Sequence, residues 1–425
     1  MKSFLAFPPA RELRGSLRVP SSKSATNRAL LLAALSETPV RIERPLQSED
    51  TRALLACLMA MGACVVRHAD ALSLSGPLRG SEGALTVLDA GESGTAARFL
   101  TAAAAATPGR FRVVGSARLS ERPMGELAGA LRALGADIAE EGAAGCLPLA
   151  IRGTTLGGGP VSVDSSRSSQ FLSALLLAGA AGRSIEVSAA GPVASLPYVA
   201  MTVESLRAFG HRVDGTGPWR VERGAHSPER YDTPGDFSSA VPLLAGAGIC
   251  GGEVRLTGLP WPSADADALA LPILTSMGIE ISTGEDEISA RADRGKLSPV
   301  SAGMTGCPDA VPAVAAAAAF APGRSRFEGV AHLRWKESDR LEALSSLLRH
   351  GGAGATADAG ELTVDGGGVG SSSGLAFLPT AGDHRIAMAA GLLSLVRGRA
   401  LIENPDCVAK SYPGFFRDLE ALSRR

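Results

Sequence analysis

Lysine is scarce in this chain of 425 residues. Only five of the 42 basic residues are Lys, at positions 2, 23, 296, 336 and 410, and the others are Arg. Because an ammonium group is a compact charge that Arg does not replace, a Lys inside a polar motif indicates a specific contact. The net charge is −1, so no basic surplus points to nucleic acid and no charged tail points to a membrane surface.

Long apolar runs, a leader and paired cysteines are also missing. The longest apolar stretches, such as 171–181 and 311–321, are too short and too Ala-rich to span a bilayer. The opening MKSFLAFPPARELRG lacks the apolar segment of a signal peptide. Six cysteines are dispersed without a CxxC pair, which is typical of buried free thiols in a reducing cytosol. These absences predict a cytoplasmic protein.

An internal repeat organises the chain, with a period of roughly 72 residues. An apolar helix, a small-residue turn and a short strand recur, and the turn glycines 109, 182, 252, 323 and 398 are 73, 70, 71 and 75 residues apart. A second set of helices ends at glycines 62, 135, 210, 278 and 352, as expected of Gly at a helix C-terminus. The pattern predicts an α/β protein of six copies of helix–strand–helix–strand–strand. The sixth copy lacks its last strands, and Gly15–Val19 can supply one.

Two boundaries divide these copies into domains of three. One lies near residues 19–21, and the other lies in the Pro-, Gly- and charge-rich stretch 223–236. We therefore expect domain I to comprise residues 1–20 plus 236–425 and domain II to comprise residues 21–235. The chain would cross between the domains twice, near 20 and near 235.

Function is expected in the polar loops before the helices, where the copies diverge. The loops before the first helices are SSKSATNR, DAGESGTAAR, DSSRSSQ, DTPGDFSS, TGCPDA and TAGDHR. A helix that begins at Ser, Thr, Asp or Gly presents free backbone N–H groups at its N-terminus, and these groups bind anions. Taken alone, each loop is more typical of a solvated helix start. Because the loops occupy the same position in successive copies of the repeat, however, they favour one shared anion site. Eight cations lie in these loops or before the second helices: Lys23, Arg28, Arg98, Arg122, Lys336, Arg340, Arg385 and Lys410.

These segments resemble the motifs of the EPSP synthases, the 3-phosphoshikimate 1-carboxyvinyltransferases. Nine motifs agree in order and spacing from about residue 10 to 420: PSSKSATNRALLLAAL, GESGTAARF, ERPMGELAGALRALGA, RSSQFLSALLLA, SLPY, PDAVPA, RWKESDRL, GDHRIAMAA and CVAKSYPGFF. The resemblance implies a two-domain inside-out α/β barrel of six βαβαββ units. It implies transfer of the enolpyruvyl group of phosphoenolpyruvate to the 5-hydroxyl of shikimate 3-phosphate, with release of phosphate, in chorismate and aromatic amino-acid biosynthesis.

The resemblance also assigns candidate residues. Domain II would form the shikimate 3-phosphate side, and domain I the phosphoenolpyruvate clamp with the catalytic Asp and Glu. The residues expected at shikimate 3-phosphate are Lys23, Ser24, Arg28, Ser168, Ser169, Gln170, Ser195, Asp309, His332 and Lys336. The residues expected at phosphoenolpyruvate are Lys23, Gly94, Arg122, Gln170, Arg340, Arg385 and Lys410.

The chemistry needs an acid, a base and dense positive charge. A proton must be added to the methylene carbon of phosphoenolpyruvate, and the hydroxyl then attacks the cationic centre. A carboxylate beside lysines stays ionised, which suits a base, so Asp309 is the candidate base. Glu337 or Lys23 is the candidate proton donor, and the sequence does not separate them. We expect no metal or other cofactor, no nucleic-acid or membrane partner, and a monomer.

Three positions depart from the commonest family pattern, and three other activities compete. Glu92, Phe99 and His332 stand where Asn, Pro and Asn are frequent. Gly94 followed by Thr95 resembles the glyphosate-sensitive type, although Phe99 alters the helix behind that loop.

A UDP-N-acetylglucosamine enolpyruvyl transferase would be expected to have a Lys-Asn pair in the first loop and a Cys within 107–122, and this chain has neither. A non-catalytic anion-binding repeat protein and an RNA phosphate cyclase are the remaining alternatives; the intact charged residues and the near-neutral charge disfavour them.

Overall fold

Helices and short strands alternate along the chain. The structure is a computed structural model that describes residues 3–81, 83–369 and 374–424. The α-helices are α1 (Lys23–Leu35), α2 (Glu49–Ala60), α3 (Gly94–Ala105), α4 (Gly125–Ala133), α5 (Gln170–Gly179), α6 (Pro197–Ala208), α7 (Phe237–Cys250), α8 (Ala270–Ser276), α9 (Val311–Ala318), α10 (Arg340–Gly351), α11 (His384–Arg397) and α12 (Phe415–Leu422). Short 3₁₀ helices span Leu119–Glu121, Ala266–Leu269, Ala331–Trp335 and Pro405–Lys410.

The strands are two to seven residues long. They are β1 (Phe4–Ala6), β2 (Glu12–Arg18), β3 (Val40–Glu43), β4 (Cys64–Arg67), β5 (Ala71–Ser75), β6 (Leu85–Asp89), β7 (Gly109–Val114), β8 (Asp137–Glu140), β9 (Leu149–Gly153), β10 (Gly159–Val163), β11 (Ile185–Ala189), β12 (Arg212–Asp214), β13 (Trp219–Glu222), β14 (Arg230–Asp232), β15 (Gly252–Thr257), β16 (Glu280–Thr283), β17 (Glu287–Ala292), β18 (Ser301–Gly303), β19 (Gly323–Glu328), β20 (Gly354–Ala357), β21 (Glu361–Gly366), β22 (Ala376–Leu378), β23 (Ala400–Glu403) and β24 (Ser423–Arg424).

The chain forms two compact units. Unit 1 comprises Met1–Pro20 and Pro234–Arg425, and unit 2 comprises Ser21–Thr233. Each unit has a hydrophobic core of its own.

Unit 2 contains three four-stranded sheets with one topology. Their strand orders are β14-β3-β5-β4, β6-β7-β9-β8 and β10-β11-β13-β12. In each sheet the first two strands are parallel and the other pairs are antiparallel, as in β6 with β7 and β7 with β9. In the second and third copies, the first helix (α3 or α5) connects the two parallel strands. In the first copy the leading strand is β14, which comes from the other end of the unit and pairs with β3.

Unit 1 repeats this plan, but its N-terminal strands do not lie where the sequence suggests. The sheets are β16-β17-β15-β2-β24, β18-β19-β21-β20 and β1-β23-β22. The expectation that Gly15–Val19 completes the sixth copy is wrong. Strand β2 pairs parallel with β15 of the fourth copy, and β1 pairs with β23 of the sixth copy. Strand pairing is non-local, so the repeat pattern alone could not assign these two segments.

The core of unit 1 is built from helices without a polar face. Every residue of α7 and α9 is buried, because a helix that is apolar on all sides finds no favourable surface position. Small residues let neighbours approach closely: a Cβ at Gly391 in α11 would lie 3.1 Å from Cε1 of Phe415 in α12. This close packing holds the buried helices together in the core of unit 1.

Candidate active site

The predicted site residues cluster where helices begin. Lys23, Gly94 and Gln170 are the first residues of α1, α3 and α5, and Arg340 is the first residue of α10. The first turn of a helix has N–H groups without helical partners and carries roughly half a positive charge. Each unit therefore combines side-chain cations with helix N-termini.

Asp309 is the centre of the cluster in unit 1. Its Oδ1 accepts hydrogen bonds from Nη1 of Arg340 at 2.8 Å and from Nζ of Lys336 at 3.4 Å. Its Oδ2 lies 3.6 Å from Nη2 of Arg385. Three cations from two sequence motifs, RWKESDRL and GDHRIAMAA, thus converge on the carboxylate that we predict to be the base.

Arg340 extends this cluster to a second candidate carboxylate. Its Nη2 donates to Oε2 of Glu337 at 2.6 Å, and Oε1 of Glu337 lies 3.7 Å from Nζ of Lys410. Nε and Nη2 of Arg340 also donate to the two carboxylate oxygens of Asp383, at 2.9 and 3.3 Å. The structure therefore joins the predicted charged residues of unit 1 in one network of ion pairs.

The charges of this network set its protonation. Burial by itself raises the pKa of Asp309, but Lys336, Arg340 and Arg385 outweigh burial and hold that pKa well below its usual range. Burial by itself lowers the pKa of Arg340, but Asp383, Glu337 and Asp309 raise it. Asp309 is therefore ionised at neutral pH.

Arg385 and His332 complete the unit 1 set. Nη1 of Arg385 donates to the backbone oxygen of Ser238 at 2.8 Å, and Nη2 donates to the Ser238 hydroxyl. His332 is buried, and burial together with the charge of Lys336 lowers its pKa to about 4. The imidazole is therefore neutral at pH 7, so it can offer hydrogen bonds but no charge.

Lys23 is held by a carboxylate in unit 2. Its Nζ donates to Oδ2 of Asp50 at 2.9 Å, and both side chains are largely buried. Asp50 lies in the first turn of α2, whose cap is a reciprocal pair of hydrogen bonds between Ser48 and Thr51. This capping box fixes the helix start and with it the position of the carboxylate beside Lys23.

Arg28 connects three helices of unit 2. Nε donates to the hydroxyl of Thr202, and Nη2 donates to the backbone oxygen of Tyr198, at 2.8 and 2.9 Å. Nη1 donates to the backbone oxygen of Ser24 at 2.9 Å. The guanidinium carbon lies 5.5 Å from the centre of the Phe99 ring in α3, within the range of a cation–π contact. Arg28 therefore stabilises the fold around α1 besides any role toward a ligand.

The start of α3 brings three further predicted residues together. A Cβ at Gly94 would lie 2.5 Å from Nη1 of Arg122, so the guanidinium passes directly over the glycine backbone. Nε2 of Gln170 donates to the hydroxyl of Thr95 at 3.0 Å, which joins the start of α5 to that of α3. A side chain at this position would displace the guanidinium groups of Arg98 and Arg122.

The predicted phosphate-binding serines lie in two adjoining loops. The Ser168 hydroxyl accepts the Gln170 N–H at 3.3 Å, and Ser169 is the N-cap of α5. The backbone N–H of Ala194 donates to the backbone oxygen of Ser165 at 3.0 Å, which links this loop to the one that carries Ser195. Ser195 is buried and has a φ of 57°, an uncommon backbone conformation for a serine that often marks a functional position.

Known proteins with similar sequences belong to the family that these motifs resemble. The family model of EPSP synthase (3-phosphoshikimate 1-carboxyvinyltransferase) matches residues 8–419. The chain belongs to the EPSP synthase family. A 3-phosphoshikimate 1-carboxyvinyltransferase of Methanoculleus marisnigri is 38% identical over 409 residues, 94% of either chain. One of Photobacterium damsela subsp. piscicida is 37% identical over 430 residues, 99% of either chain.

Solved structures agree with the family assignment. An EPSP synthase from Acinetobacter baumannii superposes with a TM-score of 0.81 at 26% identity, covering 100% of this chain and 98% of that one. The enolpyruvyl transferase NikO from Streptomyces tendae has a TM-score of 0.78 at 21% identity, covering 98% and 96%. The latter likeness is one of fold alone.

The three departures from the usual EPSP synthase pattern have different surroundings. Phe99 is fully buried and stacks with Arg28, so its bulk is part of the core of unit 2. His332 is buried close enough to Lys336 for that charge to lower its pKa. Glu92 is exposed and precedes Ser93, the N-cap of α3. A carboxylate there interacts favourably with the helix dipole.

The residues that hold the candidates in place were not predicted from the sequence. Asp50 holds Lys23, Asp383 holds Arg340 and Ser238 holds Arg385. The N–H of Ala310, the residue after Asp309, donates to Oδ1 of buried Asp267 at 3.0 Å. Asp383 had a signal in the sequence, because it lies within the motif GDHRIAMAA at the start of a helix, whereas Asp50 lies outside the nine motifs.

No metal centre or membrane segment is found among the described residues. Within 3–81, 83–369 and 374–424, no group of three or more His, Cys, Asp or Glu is placed to hold a metal ion. In the same part of the chain, no helix has the length and apolar character needed to cross a membrane.

Proposed function

We propose that this protein transfers the enolpyruvyl group of phosphoenolpyruvate to the 5-hydroxyl of shikimate 3-phosphate, giving 5-enolpyruvylshikimate 3-phosphate and phosphate. Its near full-length likeness to 3-phosphoshikimate 1-carboxyvinyltransferases supports this reaction. The observation that carries it is the convergence of Lys336, Arg340 and Arg385 on Asp309, since the reaction brings anionic substrates to a base.

The substrate contacts follow from the family motifs. In this proposal unit 2 holds shikimate 3-phosphate, with Lys23, Ser24 and Arg28 near its carboxylate and hydroxyls. Its phosphate and remaining groups meet Ser168, Ser169, Gln170 and Ser195, together with His332 and Lys336. Phosphoenolpyruvate is bound by Lys23, Gly94, Arg122, Gln170, Arg340, Arg385 and Lys410.

Proton transfer drives the mechanism. Glu337 or Lys23 protonates the methylene carbon of phosphoenolpyruvate, and the 5-hydroxyl oxygen bonds to the cationic carbon as Asp309 removes its proton. Loss of a proton from the new methyl group and cleavage of the C–O bond to phosphate complete the reaction. A carboxylate with a very low pKa is a weak base, but substrate anions at Lys336 and Arg385 would offset those charges and raise the basicity of Asp309.

Three further features belong to the same proposal. The buried helices and surrounding sheets of each unit support an inside-out α/β barrel, and unit 1 would be the phosphoenolpyruvate and acid–base domain. The free cysteines 57, 64, 146, 250, 307 and 407 support a reducing compartment, the cytoplasm. We also propose a monomer that glyphosate inhibits, because Gly94 and Thr95 match the sensitive type.

Phosphate release provides the test. Release from phosphoenolpyruvate should depend on shikimate 3-phosphate and should be lost in Asp309→Ala. Asp365→Ala is the matched control, because Asp365 is an exposed carboxylate of unit 1 that pairs with Arg324, and it should retain activity. Release that depends instead on UDP-N-acetylglucosamine would refute the proposed acceptor and favour the sister enzyme.

A further inference from the structure

Arg340 is engaged by carboxylates on almost every side. A guanidinium has five N–H groups, and four hydrogen bonds run from Arg340 to Asp309, Glu337 and both oxygens of Asp383. The Arg340 side chain is only 1% exposed. A guanidinium held in this way has one N–H left for a ligand, so binding phosphoenolpyruvate does not account for its surroundings.

Asp383 anchors this guanidinium. Its side chain is fully buried, it is the N-cap of α11, and it accepts the backbone N–H of Arg385 at 2.9 Å. The Ser338 hydroxyl also donates to it, at 3.2 Å. A carboxylate at a helix N-terminus is stabilised as an anion, and the bidentate bond to Arg340 fixes the plane of the guanidinium. The anchor thus determines which way Nη1 and Nη2 point.

We propose that Asp383 is a positioning residue that holds Arg340 so that one guanidinium couples the two acid–base carboxylates, Asp309 and Glu337. Because Nη1 bonds Asp309 and Nη2 bonds Glu337, a proton arriving on one carboxylate weakens its hold on the shared cation. The cation then interacts more strongly with the other carboxylate and keeps it ionised. The two groups titrate as a pair. This inference rests on the proposed function with Glu337 as the proton donor, so that Asp309 is ionised while Glu337 delivers a proton.

Other charges also face the pair and limit the effect of Arg340. Lys336 and Arg385 lie beside Asp309, and Lys410 lies beside Glu337. Nδ1 of His384 lies 3.8 Å from Asp383, and His332 adds a positive charge to the cluster only as the pH falls toward its pKa of about 4. Removing Arg340 should therefore raise the pKa of Asp309. The pKa should still stay below that of an aspartate with no cation nearby, because Lys336 and Arg385 remain.

The test is a carboxyl ¹³C NMR titration of the ligand-free protein. Comparison with Asp309→Asn assigns the resonance. Wild-type Asp309 should stay ionised throughout the acidic range in which the protein is folded. In Arg340→Gln its pKa should rise by about 1–3 pH units. Arg340→Lys keeps the charge but loses the bidentate bond, so it should show a smaller rise. No rise in either folded variant would overturn the coupling.

Asp383→Asn separates anchoring from simple charge. As an isolated negative charge, Asp383 raises the pKa of Asp309, so its removal would lower that pKa further. As an anchor, it keeps Arg340 on Asp309, so its removal raises that pKa. We expect a rise, with a lower kcat and smaller changes in the Michaelis constants. Absence of a rise would refute the positioning role.

The control is Asp365→Asn, because Asp365 makes the same kind of bidentate pair, with Nε and Nη2 of Arg324 at 2.7 and 3.1 Å on the surface of unit 1. It should leave the pKa of Asp309 unchanged. The titration needs no turnover, so the two proposals fail separately. An enzyme that is active but shows no rise in Arg340→Gln retains the proposed function and loses the coupling. If the pKa of Asp309 rises in Arg340→Gln but the wild-type protein has no transferase activity, the coupling is retained and the proposed function is lost.

Discussion

The buried pair of Lys23 and Asp50 gives a quantitative test of the unit 2 site. The Nζ–Oδ2 distance is 2.9 Å, and the side chains are 11% and 5% exposed. Lys23→Met removes the cation and leaves a buried carboxylate without its partner. Breaking a buried ion pair on one side costs about 3–5 kcal/mol. For a domain of about 150–250 residues, this lowers the melting temperature by about 6–20 °C.

A second substitution separates this stability effect from catalysis. Asp50→Asn in the Lys23→Met background removes the uncompensated charge, so most of the lost melting temperature should return. Turnover should not return, because the ammonium that we expect to contact both substrates is still absent. The measurements are calorimetric melting of the ligand-free protein and phosphate release by the same preparations.

An exposed pair supplies the control. Nε of Arg112 lies 2.6 Å from Oε2 of Glu141 in the same unit, and both side chains are about two-fifths exposed. Arg112→Met should cost less than about 1 kcal/mol and leave turnover unchanged. The reasoning is refuted if Lys23→Met melts like wild type, or if the double variant regains turnover together with stability.

Three further predictions concern single residues. Gly94→Ala would place a methyl group within 2.5 Å of Nη1 of both Arg98 and Arg122. Because Arg122 is a predicted phosphoenolpyruvate ligand, steady-state kinetics should show a higher Michaelis constant for phosphoenolpyruvate, and an unchanged constant would contradict this. The pKa of His332 is lowered to about 4, so its stabilising effect is complete above pH 6.5 and is lost as pH falls toward 4. Between pH 7 and pH 5, denaturant titrations should show wild type losing about 2 kcal/mol more unfolding free energy than His332→Asn; equal losses would refute this. Asp267→Ala should lower kcat by up to about a hundredfold, because the N–H of Ala310, next to Asp309, loses its acceptor. Asp267→Asn keeps an acceptor and should retain most activity. Equal losses in the two variants would show that the hydrogen bond does not position Asp309.

Some of the site could be predicted because its signals are local. Lys23, Gly94 and Gln170 were recognised from motifs a few residues long, and each is the first residue of a helix. Capping and helix starts depend on adjacent residues. The helix ends at glycines follow from the same local geometry. Their roles toward substrates remain predictions.

The partners of these residues could not be predicted in the same way. Arg28 bonds Thr202, 174 residues away, and Arg340 bonds Asp383, 43 residues away. The placement of β1 and β2 was missed or misassigned for the same reason. Which acceptor or strand edge lies within a few ångströms depends on how buried helices pack, and many polar residues have the required chemistry.

The sequence by itself determined the repeat, the helix starts, the motifs at those starts and membership of the EPSP synthase family. These properties depend on periodicity and on short-range hydrogen bonding, which the order of residues specifies directly. Only the tertiary structure decided that Asp50 neutralises Lys23 and that Arg340 bridges Asp309, Glu337 and Asp383. Electrostatic coupling depends on distance and burial, and both are set when segments far apart in the chain pack together.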